Sequence, residues 1–152
     1  MRKINILLAG LAGMGLLQAT SAAANPADQA EKLRRLDIML MVTGLRCRAT
    51  PDDFRPEYRR FTTRHIAVLN AASDQLKAHY AARLGPERAA RALDRISVTM
   101  ANAYGQGHPW LSCAQLKVAA RGLADAQGAA VLLEAADQLL AGSGTPRFAW
   151  AR

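Results

Sequence analysis

Apolar residues return every three or four positions along most of this chain, and no segment alternates apolar and polar residues one by one over the length of a strand. Leu33, Leu36, Leu40, Gly44 and Cys47 form the first stripe. Asn25-Pro26 opens that helix, with Asn as cap and Pro at the first position, and Asp28 and Glu31 lie near its positive end. A second stripe runs through Phe54, Tyr58, Phe61, His65, Leu69, Ala72, Leu76 and Tyr80. It predicts a single turn in "ATPDDFRPEY" and then one long helix from about Pro56 to Leu84, stopped by Gly85-Pro86. A third helix, Pro86 to about Ala103, buries Ala89, Leu93, Ile96 and Met100.

Ser112-Cys113-Ala114-Gln115 fits a capping box, so a further helix starts at Ser112. The last apolar stretch is Ala129 to Leu140, and Gly122 and Gly128 leave open whether 112–141 is one bent helix or two. Helix, short turn, helix, repeated, predicts an all-α fold: an antiparallel bundle of four to five helices over residues 25–142. Residues 143–152 form a tail whose Phe148 and Trp150 either dock or stay mobile.

The first 24 residues do not belong to that bundle. Arg2 and Lys3 precede an apolar run from Ile4 to Leu17, and small residues follow up to an A-x-A site at Ala22-Ala23-Ala24. The run is shorter than the roughly 20 residues that span a bilayer. The expectation is a cleaved signal peptide, a periplasmic or secreted product and no transmembrane anchor after cleavage. In an oxidising compartment the two cysteines, Cys47 and Cys113, are expected to form one disulfide. Topology agrees: if the first helix runs up and the next two down and up, the end of the first and the start of the fourth share one end of the bundle.

The formal charge is +8, two units of which come from Arg2 and Lys3. A basic chain outside the cytoplasm suits an anionic envelope component or an acidic protein as partner. Arg55, Arg59, Arg60 and Arg64 stand beside Asp52, Asp53 and Glu57, which reads as a solvated, salt-bridged face. The aromatics are not interleaved with these arginines on one exposed face, so no nucleic-acid partner is expected.

Candidate chemistry is sparse. The three histidines are His65, His79 and His108, and the first two are about 21 Å apart along one helix, too far to share a metal. His65 sits between Phe61 and Leu69 on the stripe and reads as a hydrogen-bonded core residue. No metal site, cofactor motif or catalytic residue set is expected: H-E-x-x-H, G-x-S-x-G, C-x-x-C and phosphate-binding glycine loops are all missing. "YGQGHPWLSC" is the exception to this plainness. Gly105, Gly107 and Pro109 suffice for a corner between helices, whereas Tyr104, Gln106, His108 and Trp110 bring more equipment than a turn needs. These four are the candidate ligand-binding loop.

"EKLRRLDIMLMVTGLRCRATPDDFRPEYRRF" and "ALDRISVTMANAYGQGHPWLSC", with the export signal, resemble a family of short exported bacterial proteins of unknown function. The resemblance covers about residues 30 to 115, and nothing distinctive follows Lys117. Some members carry the label S-adenosyl-L-homocysteine hydrolase. Enzymes of that activity hold NAD on a Rossmann domain, and this chain has neither G-x-G-x-x-G after a strand nor βαβ alternation, so that activity is not expected. The expected function is a non-enzymatic binding or envelope-associated module. The alternatives are a small hydrolase or lytic enzyme using His108 with Tyr104, Asp94 or Asp125, and a periplasmic stress chaperone.

Overall fold

The computed structural model describes residues 25–140, and within them every regular element is a helix. There are six: α1 Pro26–Cys47, α2 Arg55–Arg64, α3 Ile66–Leu84, α4 Pro86–Ala103, α5 Cys113–Asp125 and α6 Ala129–Leu140. The expected signal peptide, the expected 142 boundary and the tail with Phe148 and Trp150 lie outside the described residues.

The helix α1 is the axis of the fold and touches each of the other five. Its expected stripe of Leu33, Leu36, Leu40, Gly44 and Cys47 is buried, and Ile38, Met39 and Thr43 are buried with it. A helix apolar on more than one side needs neighbours all round. The Thr43 hydroxyl is satisfied within the helix by donating to the Met39 carbonyl at 2.6 Å. Around this axis, Phe54, Phe61, Leu76, Leu116, Leu123, Leu132 and Leu139 complete the core. Asn25 caps α1, its side chain accepting from the Ala27 amide at 3.0 Å.

The long helix expected over 56–84 is two helices. His65 interrupts it at φ −104°, ψ 15°, although its amide still reaches the Phe61 carbonyl and its carbonyl still accepts from the Leu69 amide. The break lets each half follow its own neighbours. α2 packs on α5, while α3 lies along α1 and folds back on α4 through the single residue Gly85. The direction of α2 is legible in its contacts: Pro51, Glu57 and Arg60 meet Lys117, Arg121 and Asp125 in that order, so α2 and α5 run parallel, side by side.

The count of four to five helices becomes six for two reasons. One is the break at His65. The other is that 112–141 forms two helices, with the turn at Gly128 (φ 83°) and Gly122 inside α5. Ser112 caps α5 as the expected capping box requires, and its exchange with Gln115 is present in both directions. Cys47 and Cys113 are joined, with their Cα atoms 5.7 Å apart and 66 residues of chain between them. None of the described helices is long and apolar enough to cross a membrane.

Candidate functional site

The loop between α4 and α5 assembles three of its four singled-out side chains. Tyr104 ends α4 and is buried. Its ring stacks on His108, centroids 5.7 Å apart, and Trp110 meets that imidazole edge-on at 4.5 Å. Gly107, at φ 107°, makes the reversal that brings His108 back against Tyr104. Gln106 is not part of the stack; it is exposed, and its side chain has no hydrogen bond among the described residues.

Both ring nitrogens of His108 are occupied by main chain. Nε2 donates to the Leu139 carbonyl at 3.0 Å, and Nδ1 accepts from the amides of Leu111 (3.2 Å) and Trp110 (3.4 Å). A carbonyl can only accept and an amide can only donate, so these bonds fix the neutral Nε2–H tautomer. Burial pushes the His108 pKa down, against the opposing pull of the Leu139 carbonyl. The bond has an architectural meaning as well. Through the Leu139 carbonyl, His108 ties α6 to the loop between α4 and α5.

His65 likewise ties into α5, at a carbonyl that also accepts from the Ala126 amide. It is buried, and its Nε2 donates to the Leu123 carbonyl, in the last turn of α5, at 2.9 Å. His79, by contrast, stands on the surface near Arg83. The carboxylates paired with His108 in the hydrolase alternative are not its hydrogen-bond partners. Asp125 holds Arg60, and Asp94 is exposed on α4.

A cleft of about 280 Å³ opens beside this loop. Gln106, Gly107 and His108 form one wall, and Thr43, Arg46 and the Cys47–Cys113 disulfide form the other. Trp110 buries its indole N–H with no acceptor among the described residues, as Glu57 and Gln138 bury one side-chain oxygen each. No group of three histidine, cysteine or carboxylate side chains able to hold a metal occurs among the described residues.

Elsewhere, Tyr58 of α2 donates to the Asp37 carboxylate of α1 at 2.9 Å. Burial raises the Asp37 pKa, with the Tyr58 bond and Arg34 pulling against it. The phenol of Tyr58 is pushed well above its ordinary range, first by burial and then by the Asp37 charge. Sequence reasoning missed this pair because the two residues sit on different helices. The arginine group also departs from its expected local pairing. Arg55 is held by Asp53, whose pKa falls to about 2 under that contact, but Glu57 turns to Arg121 and Arg60 turns to Asp125.

No family model, curated protein or solved structure matches this chain.

Proposed function

We propose that this protein is an exported, non-enzymatic helical module that binds a partner or ligand in the bacterial envelope, and that it belongs with the short exported proteins its sequence resembles. The observation that carries the non-enzymatic part is the state of His108. A general base needs a free nitrogen within reach of a substrate proton. Here one nitrogen already carries its proton toward a carbonyl and the other accepts from two backbone amides. Export is supported by the N-terminal pattern of Arg2-Lys3, apolar run and Ala22-Ala23-Ala24, and by the Cys47–Cys113 bond, which persists in oxidising compartments.

Fractionation of cells expressing the chain, with N-terminal sequencing and thiol labelling, tests this directly. The expected product is periplasmic, begins at Asn25 and carries no free thiol. A reduced, uncleaved chain in the cytoplasm defeats the reading. So does a hydrolytic turnover that survives purification and disappears in His108→Ala while the fold is retained.

A further inference from the structure

The Cys47–Cys113 bond lies at the edge of the core rather than inside it. Cys47, the last residue of α1, is 2% exposed, whereas Cys113, the first residue of α5, is only half-buried. Both line the cleft of about 280 Å³ beside the loop between α4 and α5. The two half-cystines therefore differ in access, and access is one of the factors that set the rate of thiol–disulfide exchange. Stapling two helices does not by itself require one half-cystine to face an open cleft.

The charge around that cleft has one sign. Arg46 is its only charged lining residue, since His108 is held neutral by its bonds to Leu139, Leu111 and Trp110. Arg46 has no carboxylate within ion-pair distance among the described residues. Cys113 stands at the first position of α5, where unpaired backbone amides make a helix end positive. An anion approaching Cys113 is drawn by both, and the same surroundings stabilise a thiolate there. Across the cleft, the Gln106 side chain has no hydrogen bond among the described residues and has donors to offer a carboxylate.

We infer that Cys113 is a site of reversible thiolation, and that the thiol it takes is a small one bearing a carboxylate. The incoming thiolate attacks Sγ of Cys113 and a new S–S bond forms there. The Cys47–Cys113 bond breaks, and its electron pair leaves on Sγ of Cys47, which takes a proton from water. One disulfide replaces another, so no outside oxidant or reductant enters. Attack by the Cys47 thiolate reverses the step and expels the thiol. Arg46 and Gln106 hold the carboxylate of the adduct. This modifies the protein without catalytic turnover, and it goes beyond the module reading without depending on it.

The test is the rate at which mercaptoacetate, mercaptoethanol and cysteamine open the bond in the folded, oxidised protein. Each rate is taken at equal thiolate concentration and divided by that thiol's rate on hydroxyethyl disulfide. Opening is expected to be proportional to thiol and unchanged by urea well below the unfolding midpoint. Mass spectrometry after acid quenching is expected to place the first adduct on Cys113. Mercaptoacetate is expected to outpace cysteamine about tenfold at low salt, with the ratio shrinking as salt is added. Arg46→Gln brings that ratio to within about twofold. The control Arg91→Gln removes the same charge from α4 and leaves the ratio unchanged. Access has its own readout: iodoacetamide alkylates Cys113 in Cys47→Ser faster than Cys47 in Cys113→Ser.

Steep acceleration by low urea means that thiols reach the bond only when the fold opens, and it overturns the inference. A first adduct on Cys47 overturns it as well. Equal rates for mercaptoacetate and cysteamine, or an equal fall of the ratio in Arg91→Gln, defeat the carboxylate-bearing ligand. All of these rates are read on purified, oxidised protein, so failure of the export reading leaves them untouched.

Discussion

Protonation of His108 has to occur at Nδ1, the nitrogen that faces the amides of Leu111 and Trp110. Two donors would then point at a third. That conflict and the burial of the ring act in the same direction, toward a depressed pKa in the folded state. The unfolded chain therefore binds the proton more readily, and stability rises with pH across the window. The contribution of His108 is fully present above the ordinary histidine value of about 6.5 and is lost as pH falls through the lower folded value. Thermal melts of the wild type between pH 7 and pH 5 are expected to show this decline, and His108→Gln is expected to flatten it. A decline of equal size in both proteins would assign the effect to other groups. The two residues of the loop also separate by mutation at pH 7. His108→Ala removes the bond to the Leu139 carbonyl of α6 and two ring contacts, for an expected loss of about 2–3 kcal/mol, or on the order of 10 °C in Tm. Gln106→Ala touches an exposed side chain without partners and is expected to leave Tm within about 1–2 °C. Gln106 lines the cleft beside the disulfide without a hydrogen bond among the described residues, whereas His108 has a structural role.

Single residues also decide how the helices begin, break and turn. Gly85 is the entire link between α3 and α4, at φ 83° and ψ 157°, a combination that side chains other than hydrogen strongly disfavour. Nothing lies within 4 Å of where its Cβ would be, so Gly85→Ala tests backbone strain without a steric clash. The expected cost is about 1–3 kcal/mol, read from the midpoint of a denaturant melt. His65 marks the other discontinuity. Replacing it with leucine keeps an apolar side chain in the core but removes the donor to the Leu123 carbonyl, so a loss of about 1–2 kcal/mol is expected. An unchanged melt would show that the Leu123 carbonyl is satisfied by the Ala126 amide alone. The break at His65 was hard to read because the three-and-four spacing continues straight through it. What changes at that point is the main neighbour, α5 before and α1 with α4 after, and no hydrophobic pattern names a neighbour. A weak sign was present in "FTTRHI", where two β-branched threonines lower helix propensity just before a histidine in the apolar stripe.

At the scale of the whole molecule, the disulfide ties the end of the central helix to the start of α5 across 66 residues. The whole of α2, α3 and α4 lies inside that loop. Closing a loop of this length restricts the unfolded chain by up to about 4 kcal/mol in the chain-entropy account. Cys47→Ser with Cys113→Ser is expected to lose a large part of that, and calorimetry of the oxidised and doubly substituted proteins measures it. The described residues have one core, gathered round α1, and α1 contacts every other described helix. The surface ion pairs, such as Lys32 with Asp137 and Glu31 with Arg35, are half exposed and add little to this core.

The sequence by itself determined the helical class, the cap of α1 at Asn25, the capping box at Ser112, the stop at Gly85 and the pairing of the two cysteines. Each of these depends on residues a few positions apart, or on there being only two thiols to join. Tertiary structure alone decided where the long helix divides, that α2 and α5 lie side by side, and that Asp37 meets Tyr58. It also decided what the arginines, buried His65 and half-buried His108 do. His65 and His108 each find a carbonyl at the end of a helix 58 and 31 residues away, and Glu57 and Asp125 find arginines more than 60 residues distant. Local periodicity records which side of a helix is apolar. Which carbonyl or which charge waits opposite a given side chain is fixed only when the helices pack.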